Sequence, residues 1–361
     1  MSSIPNSPVP ATAIGLMALV ATILILPFFF KKIEKNLELF FLIMGVSALT
    51  VSGLWDGSLV WEALKAPVMI GALPIGIFQV VLALGLLMHA FNVPFSRWVL
   101  HTAKTLGHRI FIFLLIALVG LLSSVISVIL AASILTEIVA ALPLARPEKN
   151  RLIVIACFAA GMGACLSPLG EPLSTILVAK LSGPPYHAGF LFPLKNFGVP
   201  IIAGVLGLAA WGAYRLGPKM SLLARGAHAH DIETPKSIFI RALKVYIFIA
   251  ALVFIGEGFK PLMLWYLIKI PSAGLYWINM SSAVLDNATL AAIEIGPSMA
   301  LSQVISIVLG LSISGGMLIP GNIPNIIAAS RLKISMKEWA SIGIPLGMSL
   351  LALYFIILYV L

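Results

Sequence analysis

The stretch Gly163-Ala164-Cys165-Leu166-Ser167-Pro168-Leu169-Gly170-Glu171-Pro172 cuts an apolar segment with two prolines four residues apart and an acid between them. Proline has no N–H and cannot donate to the carbonyl four residues earlier, so Pro168 and Pro172 release the carbonyls of Ala164 and Pro168. The device recurs in Gly315-Gly316-Met317-Leu318-Ile319-Pro320-Gly321-Asn322-Ile323-Pro324-Asn325, where Pro320 and Pro324 release Gly316 and Pro320. Any one such proline could be a simple kink. Two matched pairs predict two broken helices, and free carbonyls beside a carboxylate form the oxygen-rich cage that hard cations prefer.

The surroundings of these breaks are too apolar for water. Apolar residues make up 60% of the 361 and charged residues 10%, against about 25% charge in a soluble domain; mean hydropathy is +1.09. Blocks such as 11–30, 67–90 and 196–214 each approach the roughly 20 residues a helix needs to cross a bilayer. They lack the alternation of barrel strands, which leaves helices as the spanning element. No basic residue precedes the first block, so it is expected to be a retained span.

The net charge of +10 concerns topology and not nucleic acid. With the N-terminus outside, the inner loops hold 17 of the 23 Lys and Arg, grouped at 31–35, 97–109, 146–151, 215–241 and 331–337. The positive-inside rule then predicts both termini outside, in a multi-pass protein of the cell membrane. Cys157 and Cys165, eight apart, suit neither a local disulfide nor a Cys-x-x-Cys metal site and are expected to pack in the core.

From residue 67 the sequence repeats a four-part order. A span (67–90) precedes an apolar stretch bent at Ser123-Ser124-Val125-Ile126-Ser127, the first broken segment, and a span opening Gly198-Val199-Pro200. The second half has a span (238–256), a stretch bent at Ser281-Ser282-Ala283-Val284-Leu285-Asp286-Asn287, the second broken segment, and a span opening Gly343-Ile344-Pro345. The bent stretches, 110–142 and 262–296, run to roughly 33 residues, too many for one comfortable span and too few for two, which predicts re-entrant hairpins. Three crossings in the first half force the second to start from the opposite face. The expected division is 1–66 as two scaffold helices, 67–214 and 238–361 as inverted repeats, and 215–237 as an inner linker. The fold expected is an all-α integral membrane protein, an inverted-repeat transporter with two re-entrant hairpins, two broken transmembrane helices and about eight crossings.

Of the 13 acidic residues, Glu137, Glu171, Asp286 and Glu294 fall within the apolar halves, and Glu257 at a span end. An acid at membrane depth costs roughly 2.5–3.5 kcal/mol on insertion scales and is a functional candidate, or else the partner of a buried cation. Glu171 and Asp286 sit in the interruptions and are the candidate metal and proton ligands. Supporting oxygens are expected from Ser167, Ser174, Thr175, Ser281, Ser282, Asn287, Thr289, Asn322 and Asn325. Burial raises a carboxyl's pKa and a bound cation lowers it, so proton and metal ion would compete at one site, which is antiport.

Residues 281–289, Ser-Ser-Ala-Val-Leu-Asp-Asn-Ala-Thr, resemble the Asp-Asn hairpin tip of the ion-transporter superfamily, particularly its NhaD-like sodium/proton antiporters. Residues 163–175 are similar to that branch's Gly-rich Ser-Pro-Ile-Gly-Asp segment, with Glu171 in the acidic place, and also to an uncharacterised group of predicted cation transporters. The resemblance covers 67–361 and implies homodimers through a scaffold and an elevator-like motion of hairpins and broken helices. The tip at Ser123–Ser127 lacks an Asp-Asn pair, a departure from a symmetric two-acid site. A sodium- or proton-coupled anion carrier is the alternative within the superfamily. No resident cofactor is implied, and the partners expected are lipid, a small cation and protons. An intramembrane enzyme finds no His-Glu-x-x-His or Gly-x-Gly-Asp string, and an ATP-driven pump no phosphate-binding motif. His228-Ala229-His230-Asp231, in the linker, suits a solvated loop more than a metal site.

Overall fold

The computed structural model describes the chain apart from residues 1–3, 5–6, 35, 70–75, 224–233, 267–270, 285–286, 298 and 361. Among the described residues there is helix and connecting turn, and no strand. The chain opens with α1 (Pro10–Phe29), the single turn α2 (Lys31–Glu34), α3 (Leu37–Ser52) and α4 (Gly57–Lys65). α5 (Ile77–Ala90), α6 (Asn92–Leu106) and the pair α7 (His108–Ile126) and α8 (Val128–Ala141) follow. α9 (Arg146–Ala164) and α10 (Pro172–Lys180) are halves of an interrupted helix, and α11 (Phe192–Leu223) closes the first series. The second series is α12 (Pro235–Tyr266), the pair α13 (Ser272–Ile278) and α14 (Asn287–Glu294), the interrupted helix α15 (Leu301–Ser314) and α16 (Ile323–Leu332), and α17 (Met336–Tyr359). A 3-10 turn, Asn279–Ala283, extends α13.

α1, α7, α11, α12 and α17 each contain a stretch long and apolar enough to cross a bilayer. The protein is thus an all-α, membrane-embedded chain. Side-chain bonds define its two ends. At the basic end Arg146 pairs with Glu338 and also donates to the Lys333 carbonyl. Lys219 pairs there with Glu148, and Arg331 with Glu137. At the opposite end the Tyr186 hydroxyl donates to the Met299 carbonyl. The start of α9 therefore lies beside the end of α16, and the end of α10 near the start of α15, so the interrupted helices run antiparallel.

The helix pairs follow the same logic. Arg109, at the start of α7, packs against Gly217 close to the Lys219–Glu148 bridge, while Lys149 donates to Ala140 O at the end of α8. Both ends of the α7–α8 pair thus sit at the basic end. α13 bonds to the far part of α17 through Tyr276 Oη and Leu351 O, and α14 leads into Met299, so that pair opens from the other end. α8 packs along α16, and α10 along α14. α3 runs beside α12, with Lys244 bridged to Glu38 at the basic end.

Lipid is as apolar as leucine, so close approach of small residues does much of the packing. A β-carbon on Gly45 would come 2.8 Å from Phe254 Cβ, and one on Gly258 2.6 Å from Ala48 Cβ, which locks α3 against α12. A β-carbon on Gly163 would overlap the Gly120 carbonyl, so α9 and α7 meet there at backbone distance.

Several expected boundaries move. The bend expected over Ser123–Ser127 is confined to Ser127 (φ 74°), because Ser123 and Ser124 donate to the Gly120 and Leu121 carbonyls and let α7 continue to Ile126. Such back-bonding satisfies a serine within a helix. Pro200 and Pro345 lie inside α11 and α17 instead of opening them, and Pro218 and Pro261 are likewise absorbed. α11 consequently extends into the expected linker, and α12 reaches Tyr266, so the second pair starts later than residue 262.

Candidate functional site

Both interruptions fall where the prolines place them, and each receives the turn of a helix pair. At the first, the Ser167 hydroxyl donates to the Ser124 carbonyl and Val128 N–H donates to Gly170 O at 3.0 Å, which seats the α7–α8 turn on the break. At the second, a β-carbon on Gly321 would lie 2.8 Å from Ala283 O, and one on Gly315 2.7 Å from the Asn287 amide. The α13–α14 turn therefore rests on the second break. The two breaks also touch: Asn322 Nδ2 lies 2.6 Å from where a Gly161 β-carbon would be, and Cys165 stands beside Ser312 of α15.

Glu171 is buried, 7% exposed, in extended backbone immediately before α10. Cys165 Sγ lies 2.7 Å from its Oε1, as donor to the carboxylate. A helix N-terminus carries partial positive charge and favours an ionised carboxylate there. Since α10 and α14 run side by side away from the breaks, Glu171 and Asn287 head neighbouring helices. Asn287 is 5% exposed, and neither atom of its side-chain amide has a hydrogen-bond partner. Buried amides are nearly always satisfied, so an unpaired one calls for an explanation. Asn325 donates to the Gly315 and Leu318 carbonyls at 2.8 Å each, leaving its buried Oδ1 unpaired, and Ser281 Oγ is unpaired too.

Other expected ligands are engaged elsewhere. Ser174 donates to Cys165 O and Thr175 to Pro168 O, at 2.8 and 2.7 Å. Ser282 is hydrogen-bonded to Ser314 at 2.6 Å, and Asn322 Oδ1 accepts from Ile323 N–H as a cap of α16. These groups hold the breaks in shape. Of the four released carbonyls, Pro168 O is thus occupied, and Gly316 O accepts from the Trp339 indole at 3.0 Å. Ala164 O and Pro320 O accept no hydrogen bond among the described residues. Asp286 and the side chain of Thr289 lie outside the described residues, as does the 228–231 segment.

Glu137 is not brought to Glu171. It accepts from Arg331 Nε and Nη2 at 2.8 and 3.0 Å, with Arg241 Nη2 at 3.8 Å, all three side chains largely buried at the basic end. Glu294 is buried at 8% exposure at the end of α14 opposite Asn287, and Glu257 pairs with Lys260 at 3.1 Å. Among the described residues no cluster of three or more His, Cys, Asp or Glu is present. A cavity of about 530 Å³ lies between α3, α12 and α16, lined by Glu38, Arg241, Lys244, Ile319, Ile326 and Lys333. Ile319 of the second break and Lys333 of the basic end both line this cavity.

Sequence reading missed Cys165 as the neighbour of Glu171, Trp339 as the partner of a released carbonyl, and the two arginines on Glu137. Only the Cys165–Glu171 spacing of six carried a local signal. The others are separated by 23 residues or more in the chain.

Fold and site together define a membrane-embedded helical protein with two interrupted helices meeting at a buried polar centre. Residues 13–361 match the family described as "Protein of unknown function (DUF1646)", and the chain belongs to it. No curated protein matches the chain.

Proposed function

We propose that this protein is a secondary active transporter that exchanges a small cation, sodium foremost, for protons. The observation that carries the reading is the buried carboxylate of Glu171 at the head of α10, together with the unpaired amide of Asn287 at the head of the neighbouring α14. Glu171, Asn287 Oδ1, Asn325 Oδ1 and the carbonyls of Ala164 and Pro320 are the oxygens available to a cation, and Asp286, next to Asn287 in the sequence, is the further acid of this reading. A proton and a cation compete for such a carboxylate, because each neutralises it.

The architecture that fits is a pair of inverted repeats, with α7–α8 and α13–α14 as re-entrant hairpins entering from opposite faces. The antiparallel interrupted helices and the exchanged packing of α8 on α16 and α10 on α14 support it. Counting each interrupted helix once gives about eight crossings, and in this reading the site lies near the midplane, as in other broken-helix transporters. The basic end faces the cytoplasm by the positive-inside rule, with both termini outside. α3 and α12 serve as scaffold, and the cavity beside them is the inner approach to the site. An elevator-like movement of the hairpins and broken helices past that scaffold, in a homodimer, completes the reading.

The test is reconstitution in proteoliposomes with lumenal pH followed on adding sodium, lithium, potassium or calcium. Sodium is expected to alkalinise or acidify the lumen according to its gradient, and Glu171→Gln to abolish the response. Undiminished exchange in Glu171→Gln/Asp286→Asn removes the mechanism. One observation favours an anion instead: α8, α10, α14 and α16 all begin at the breaks, and helix N-termini attract anions. Sodium-dependent uptake of labelled succinate or citrate would establish that alternative.

A further inference from the structure

Glu294 and Glu137 occupy matching places, each in the second arm of its helix pair, yet their surroundings are opposite. Glu137 is held by two guanidinium groups. Glu294 is 8% exposed, and both its carboxyl oxygens lack a hydrogen-bond partner. Asn279, fully buried at 0% exposed, stands beside it, and both atoms of its side-chain amide are likewise unpaired.

Among the described residues no cation compensates Glu294. Of the elements packed on α14, α15 and the 3-10 turn contain no charged residue, while α12 carries Lys236, Arg241, Lys244, Glu257 and Lys260, of which Arg241 is paired with Glu137, Lys244 with Glu38, and Lys260 with Glu257. α10 carries only Lys180, at its last residue. No described Lys, Arg or His lies within ion-pair distance of Glu294; Lys269 and Asp286 are outside the described residues. A bare carboxylate in such a place is strongly disfavoured, and among the described residues a cation would find three unpaired oxygens there, short of the six or more that calcium takes. A neutral carboxyl facing an amide needs neither, since acid and amide can each donate and accept.

We infer that Glu294 is a proton-carrying site in its own right, distinct from the cation site at Glu171. It is linked to the second break, because the Asn279 carbonyl accepts from Ser314 Oγ at 2.6 Å, one residue before Gly315. The inference rests on the transport reading for its consequence: a proton bound at Glu294 in one orientation and released in the other adds one charge per cycle. Exchange then responds to membrane potential.

Infrared difference spectra of the full-length protein in lipid nanodiscs test the site independently of transport. A protonated-carboxyl C=O band at neutral pH is expected in the wild type and in Glu171→Gln. It should be absent in Glu294→Gln and return, shifted, in Glu294→Asp. Proteoliposome exchange under a potassium–valinomycin potential tests the consequence. Wild type and Glu294→Asp should respond to potential, whereas Glu294→Gln should exchange with that response lost. A band unchanged in Glu294→Gln, or one that sodium converts to carboxylate in the Glu171→Gln background, overturns the proposal. So does full potential dependence in Glu294→Gln. Absence of cation movement in the wild type would defeat the transport reading alone, leaving the infrared result to decide Glu294.

Discussion

Replacing Glu137 by glutamine removes the carboxylate that two buried arginines share. In the native structure its carboxylate takes a two-pronged bond from Arg331 at 2.8 and 3.0 Å and a longer contact from Arg241 at 3.8 Å, with side-chain exposures of 8, 13 and 7%. Bonds of this two-pronged kind are among the strong ones. Removing one partner of a buried pair costs about 3–5 kcal/mol, because a charge stays buried without compensation. At about 2 °C per kcal/mol for a chain of this size, Glu137→Gln should lower Tm by about 6–10 °C. Arg331→Met should cost roughly half as much, since Arg241 still neutralises Glu137 and only the two Arg331 hydrogen bonds are lost. The double variant Glu137→Gln/Arg331→Met should be more stable than Glu137→Gln alone, because one buried guanidinium, not two, then loses the carboxylate. Tryptophan-fluorescence melts of purified protein in detergent, one condition for all variants, measure the series. An unchanged Tm in Glu137→Gln, or a larger loss in Arg331→Met than in Glu137→Gln, would refute the structural role assigned to Glu137.

Three further outcomes follow from the packing around the breaks. Gly163→Ala forces a methyl into the Gly120 carbonyl and should cost at least about 1–3 kcal/mol, read as lowered Tm and yield, whereas Gly183→Ala, with open space around it, should be neutral. Trp339→Phe removes the donor to Gly316 O and should cost about 1–3 kcal/mol in the same melts, the expected penalty for an unpaired buried carbonyl. Cys165, buried against Glu171, should react slowly with maleimide, and sodium should slow it further; labelling as fast as an exposed thiol would contradict its placement.

Membrane residence was legible in the sequence because it depends on composition alone: a bilayer accepts only long apolar helices, and the blocks are there to be counted. The two interruptions were equally legible, since a missing N–H at Pro168, Pro172, Pro320 and Pro324 acts on its own helix whatever surrounds it. Local reading failed where a residue that usually breaks a helix was instead absorbed by that same helix. The serines at 123 and 124 looked like a bend, and their hydroxyls turned inward to the helix's own carbonyls. Pro200 and Pro345 looked like helix starts, and flanking turns absorbed them.

What the chain determined unaided is where backbone hydrogen bonding must stop and which few acids lie within apolar stretches. Only the folded arrangement decided what each acid meets: Arg331 and Arg241 for Glu137, Cys165 for Glu171, and an unpaired amide for Glu294. The reason is one of range. Breaking a helix involves atoms four residues apart, whereas neutralising a buried charge involves whichever side chain the tertiary packing delivers, here from 194 residues away.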